Sequence, residues 1–218
     1  MNTKNISAWV AFVFSVGGYI PLAIGVYRHP VELNIATFSL WAILSALMTY
    51  SAVKMKFPGW RMQFGWLIGN IGMLCVAAHL QRFTFNLDPA ETIALYGIII
   101  TVGVWLTVGK VTGKLNDHIL FIGVVATDVL SYYPQFKQYL LPHESPTIWL
   151  MCGWAMFFLG AICNIVWVDE MFKKLFTPRQ VYPARFGGNE KNVLAIFESS
   201  AISFENAILI ATTIFIMS

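Results

Sequence analysis

Long apolar stretches separated by short polar breaks run the length of the chain. Seven of them stand out: Ile6–Arg28, Asn34–Val53, Trp60–His79, Glu91–Val108, His118–Leu140, Thr147–Val168 and Asn192–Met217. Each approaches or exceeds the roughly 20 residues that an α-helix needs to cross a hydrocarbon core. The runs are continuous rather than alternating. That excludes an outer-membrane barrel, whose strands alternate over about ten residues. The pattern therefore predicts an all-α, polytopic membrane protein with seven transmembrane helices. The longest polar segment, Asp169–Lys191, holds Pro178, Pro183 and the Gly187-Gly188 pair and reads as a loop. The stretch from Ile6 to Val26 is too long for the apolar core of a signal peptide and reads as the first span.

Composition agrees. Of the 218 residues, 57% are hydrophobic and 11% charged, against about 45–50% and 25% for a soluble domain. A soluble enzyme, a disordered chain, a coiled coil and a disulfide scaffold are all excluded. The net charge of +3 is small, and no basic cluster interleaved with aromatics supports nucleic-acid binding. The placement of positive charge is more informative than its sum. With the N-terminus inside, the inner loops carry eleven of the fourteen Lys and Arg residues, and only Arg28, Arg82 and Lys137 fall outside. Cationic loops stay on the cytoplasmic side, so an N-in, C-out topology is expected. Short loops without targeting tails point to a bacterial inner membrane. Cys75, Cys152 and Cys163 lie in apolar runs with no C-x-x-C pair and read as small buried packing residues. His29, His79, His118 and His143 form no i, i+4 pair, so neither a metal nor a cofactor is expected.

Sliding the chain against itself by 113 residues aligns residues 17–44 with residues 130–157. Tyr19 meets Tyr132, Pro21 meets Pro134, Trp41 meets Trp154 and Ala42 meets Ala155. Both segments place a proline in the outgoing half of a helix, then a polar break, then a helix with an early tryptophan. With Tyr133-Pro134-Gln135 supplying a Pro-Gln pair, the sequence resembles the PQ-loop family, which includes the SWEET sugar carriers, cystinosin-like exporters and KDEL receptors. The first copy departs from the motif, since Pro21-Leu22 stands where the pair would be. The resemblance implies a 3+1+3 plan: a first three-helix bundle over residues 1–85, a linker helix over 86–112 and a second bundle over 113–218. Within it the span Glu91–Val108 has no charge past Glu91, which suits that role. Eukaryotic relatives are usually drawn with the N-terminus outside or lumenal, opposite to the charge count here.

Three groups of residues carry the chemistry. Pro21 and Pro134 each remove a helical N–H and crowd the carbonyl four residues back, on Gly17 and Leu130. Together with Gln135 they are candidate hinges, and Gly17-Gly18 adds room for a bend. Asp128, Glu198 and Glu205 are ionisable groups at membrane depth, where a charge costs about 2.5–3.5 kcal/mol and is functional by default. Removal from water favours a neutral carboxyl group, which suits proton coupling. Asn70 and Asn206 are central in the third and seventh spans, and an amide offers both donors and an acceptor to a solute. The SWEET carriers resemble this arrangement, with an asparagine from each third helix facing the solute. Asn164 is a further polar candidate. Trp41 and Trp154 are expected to cover the site, with Tyr19 and Tyr132 lining it. Trp60, Trp66 and Tyr50 fit interface anchors.

The function expected is a carrier moving a small hydrophilic solute, such as a sugar, amino acid or vitamin, by alternating access with possible proton coupling. Nicotinamide riboside permeases share the 3+1+3 plan. The alternative is a non-transporting receptor or assembly subunit, as KDEL receptors are. The partners expected are that solute and the bilayer, and the sequence sets no oligomeric state. A retinal protein is excluded because Asn192–Met217 has no lysine, and a G-protein-coupled receptor because both of its usual motifs are missing. No nucleophile–base pair assembles from sequence. Glu198 with Ser199 and Ser200 is adjacency only, so enzyme activity is not expected.

Overall fold

A computed structural model describes residues 3–28, 32–54, 60–113, 116–131, 148–149, 151–160 and 162–163. The described chain is almost entirely helical. Helices α1 (Thr3–Gly17) and α2 (Tyr19–Arg28) follow each other across Gly18. Then come β1 (Leu33–Asn34), α3 (Ile35–Lys54), α4 (Trp60–Leu80), β2 (Phe83–Thr84), α5 (Pro89–Thr112) and α6 (Asp117–Ser131). A further apolar helix, α7, covers Met151–Gly160. Among the described residues four segments are long and apolar enough to cross a membrane: Ile6–Arg28, Ile35–Lys54, Trp60–Leu80 and Pro89–Thr112. Their bounds lie within a few residues of those expected from hydropathy. The final expected span, Asn192–Met217, lies outside the described residues.

The surface these helices leave exposed marks a membrane protein. Along α5 the side chains of Ile93, Tyr96, Ile99, Ile100, Val104 and Leu106 are exposed. In water such a face would be a liability; in hydrocarbon it is solvated. The inward face of α5 is narrow, with Ala94 and Ile98 packed against α3 and α6. One end of the bundle carries an aromatic and cationic belt: Arg61 lies 4.8 Å from the Trp9 ring and 5.2 Å from that of Trp60, and Lys54 lies 5.6 Å from Tyr50. Such residues settle at headgroup depth.

Within the first three spans, α4 sits in the middle, packed against α1 and α2 on one side and α3 on the other. Helix α6 packs on α3 and α5. Helix α7 packs on α1 and α2, where Gly18, Gly153 and Gly160 let the backbones approach. The two-residue strands β1 and β2 pair in parallel, Leu33 with Phe83 and Asn34 with Thr84, tying together the loops after α2 and α4. Asn34 reinforces the tie. Its Nδ2 donates to the Asn86 carbonyl at 2.6 Å, and its Oδ1 accepts from Ala36 N at the start of α3.

The start of α5 explains a buried charge. Asp88 is the N-cap, its Oδ1 accepting from Ala90 N at 2.9 Å, and Glu91 Oε2 accepts from Asp88 N at 2.9 Å. This reciprocal capping box satisfies N–H groups that a helix start leaves open. Glu91 is 1% exposed, and its other oxygen accepts the Thr37 hydroxyl of α3. The carboxylate thus caps one helix and bonds to another. Glu91→Ala is expected to cost about 1–3 kcal/mol, because it leaves buried partners unpaired. Glu91→Gln, which keeps an acceptor oxygen, should recover part of that loss. Thermal unfolding of the two purified variants in detergent checks the ordering.

Candidate polar site in the bundle interior

The first half of the site begins with a helix interruption. Pro21 is the third residue of α2 and cannot donate to the Gly17 carbonyl. Helix α1 ends at Gly17 and Gly18 is a turn, although Gly18 N still donates to Phe14 O at 2.9 Å. Tyr19 therefore opens α2 at mid-span. Its ring lies directly on Gly69 of α4, where any Cβ would overlap it. The Tyr19 hydroxyl donates to Asn70 Oδ1 at 2.9 Å. Asn70 is 1% exposed, on the inward stripe of α4 that also holds Gln63, Trp66, Met73 and Ala77. Gly65 and Gly69 form a G-x-x-x-G pair: Gly65 sits against Phe12 and Ser15 of α1, and Gly69 receives Tyr19. Small residues at this spacing let membrane helices approach closely.

The second half is a hydrogen-bond relay from α3 to α6. Trp41 Nε1 donates to Ser131 Oγ at 3.1 Å. The Ser131 hydroxyl lies 2.7 Å from the Asp128 carbonyl oxygen and 3.3 Å from Asp128 Oδ1. Asp128 is buried, as Ser131 is. The two halves lie on neighbouring helices, since α3, which carries Trp41, packs against both α4 and α6. Tyr19, Asn70, Trp41, Ser131 and Asp128 thus form one interior polar group drawn from four helices. Its donors and acceptors suit a hydroxyl-bearing or zwitterionic solute.

Trp154 forms an adjoining wall. It is buried with Ala11, Met62 and Trp66, and its ring meets Phe157 edge-on at 5.8 Å. Phe157 in turn meets Tyr19 at 5.0 Å. Trp154 Nε1 is buried with no hydrogen-bond partner among the described residues. In the 113-residue alignment Trp154 falls opposite Trp41, and Gly18 opposite Ser131. Trp41 finds a hydroxyl on the facing helix, whereas α7 meets the bare backbone of Gly18. Gln63 Oε1 on α4 is also buried without a partner among the described residues.

The structure thus brings Tyr19, Asn70, Trp41, Trp154 and Asp128 into the interior, with Pro21 at the helix break beside them. Tyr132, Pro134, Gln135, Asn164, Glu198, Glu205 and Asn206 lie outside the described residues. Two expectations are corrected. Cys75 and Cys152 are exposed and Cys163 only partly covered, so they are not buried packing residues. The outer surface of a membrane helix is as apolar as its interior, so an apolar neighbourhood does not imply burial. Trp66 is no interface anchor: it is 6% exposed and packs with Trp154. Sequence reasoning missed Gly69, Ser131, Gln63 and the Gly18–Gly153 contact. Of these, Gly69 carried a usable signal in its G-x-x-x-G spacing from Gly65. Among the described residues no group of three metal-ligating side chains occurs. Compared with protein-family models, curated proteins and solved structures, the chain matches none of them.

Proposed function

We propose that this chain is an alternating-access carrier for a small hydrophilic solute, built on a seven-helix 3+1+3 plan like that of the PQ-loop family. The interior polar group around the Tyr19–Asn70 hydrogen bond is the observation that carries this reading. Polar side chains at membrane depth are costly unless they line a path or a site. Two further features support it. The contact of α3 with α6 and that of α7 with α1 exchange under the 113-residue alignment, in keeping with two related bundles. The break at Gly18 beside Pro21 gives the first span a place to bend next to the site. Asn206 is the proposed counterpart of Asn70, Glu198 and Glu205 are further proton-coupling candidates, and Pro134 with Gln135 forms the second hinge. The proposed orientation is N-in, C-out.

The test is a thermal-unfolding screen of the purified protein against sugars, amino acids, polyamines and vitamins, followed by flux in liposomes. A solute at 100 times its Kd stabilises a protein by about 2.7 kcal/mol. One class should raise the melting temperature, be taken up by liposomes, and lose both effects in Asn70→Ala. Tight binding without flux assigns the chain to the receptor reading instead. No binding in any class overturns both.

A further inference from the structure

We propose that a groove between α2 and α4, separate from the interior site, binds the headgroup and upper chain of an anionic phospholipid. The groove has a volume of about 640 Å³, inside the range of about 300–1,000 Å³ usual for ligand sites. Its two ends differ. Ala23, Ile24, Val76 and Leu80 make an apolar wall, while Tyr27, Arg28 and His79 make a polar rim. The rim lies at a fixed depth. Arg28 is the last residue of α2, His79 the penultimate residue of α4, and the loops that follow are joined by β1 and β2. Both basic side chains therefore sit at one end of two spanning segments, at headgroup level, with the apolar wall running toward acyl depth.

The rim is held in place by packing. The Arg28 guanidinium lies 4.8 Å from the centre of the Trp149 ring. Trp149 reaches it because Gly25 carries no side chain: a Cβ there would stand 3.0 Å from Trp149 Cβ. Stacking on an aromatic face leaves the in-plane guanidinium donors available to a phosphate, which arginine binds in bidentate fashion. Among the described residues neither Arg28 nor His79 forms an ion pair with a carboxylate. A cationic rim above an apolar wall at interfacial depth matches one phospholipid molecule and does not match a freely soluble solute. Basic pockets between spanning helices recognise acidic headgroups in this way.

Native mass spectrometry of the full chain in detergent, with dimyristoyl phosphatidylglycerol or phosphatidylcholine added at equal concentration, tests the proposal. The wild type should retain phosphatidylglycerol roughly fivefold to tenfold better, because the choline ammonium of phosphatidylcholine cancels its net charge and is repelled by the Arg28 rim, and attraction of anionic lipid is worth about 1 kcal/mol per basic residue. Arg28→Gln combined with His79→Gln should abolish the preference, and Lys110→Gln, on α5 away from the groove, should leave it intact. Ile24→Trp, which fills the apolar wall and keeps both Arg28 and His79, should reduce retention of either lipid. Equal retention of the two lipids by the wild type overturns the proposal, whether or not the double variant folds. So does a thermal shift with inorganic phosphate alone as large as that with phosphatidylglycerol, since the site would then take a free anion.

Discussion

Gly69→Val collapses the centre of the first bundle. The Tyr19 ring occupies the space a side chain at this position would need, and Phe12 and Ser15 close the same helix face one turn away at Gly65. A valine forces either the Tyr19 ring out of its seat or α4 away from α2. The first outcome breaks the Tyr19–Asn70 hydrogen bond and strands a buried amide. The second opens the Val26, Met73 and Ala77 cluster that holds the outer halves of the two helices together. Overpacking of this kind costs about 1–3 kcal/mol, and an orphaned buried polar group adds about 1–3 kcal/mol more. The expected result is a large fall in melting temperature in detergent and no binding of the solute found for the wild type. Gly72→Val is the control. It lies on the same helix with nothing within 4 Å of its Cβ position, and it should behave like the wild type. Equal stability of the two variants would show that Tyr19 does not sit on α4.

Asp128→Asn separates transport from its energy source. The side chain is buried at the end of the relay from Trp41 through Ser131. Asparagine keeps its size and an acceptor oxygen for Ser131 but cannot take up a proton. The protein should fold with a melting temperature close to that of the wild type. Uptake into liposomes driven by a pH gradient should fall about tenfold or more, as loss of an essential proton site in a membrane pump does. Exchange of solute at equal pH on both sides should persist, because it needs no net proton movement. Gradient-driven uptake that survives in Asp128→Asn would remove this residue from the coupling role and leave Glu198 and Glu205 as the sites to test. Asp128→Leu adds a second reading. An apolar side chain there also removes the acceptor oxygen beside the Ser131 hydroxyl, so solute affinity should change only if that contact shapes the site.

The extent of the helices was legible in the linear chain because hydrocarbon imposes a simple rule: about 20 apolar residues per crossing. That rule placed α1 with α2, α3, α4 and α5 to within a few residues. Asp128 and Asn70 were legible for the same reason, since polar groups are rare at that depth and turn inward. The inward or outward sense of apolar residues was not legible. A helix in water shows its buried side as an apolar stripe opposite a polar one. That contrast vanishes when lipid and protein interior are equally apolar, which is why Cys75 faces out and Trp66 faces in. Partnerships were also invisible. Nothing in sequence joins Tyr19 to Asn70, 51 residues away, or Trp41 to Ser131, 90 residues away.

By itself, then, the order of amino acids determined that this protein is suited to a bilayer, where its first four spanning segments begin and end, and which polar groups they carry into the hydrocarbon. These follow from solvation, a property each segment has alone. Only the packed arrangement decided that Gly69 seats Tyr19, that Trp41 has a hydroxyl partner while Trp154 is buried among Ala11, Met62 and Trp66, and that Arg28 stacks on Trp149 above a groove. These depend on which helices come within van der Waals reach of each other, and that is settled by small residues and shape rather than by apolar character.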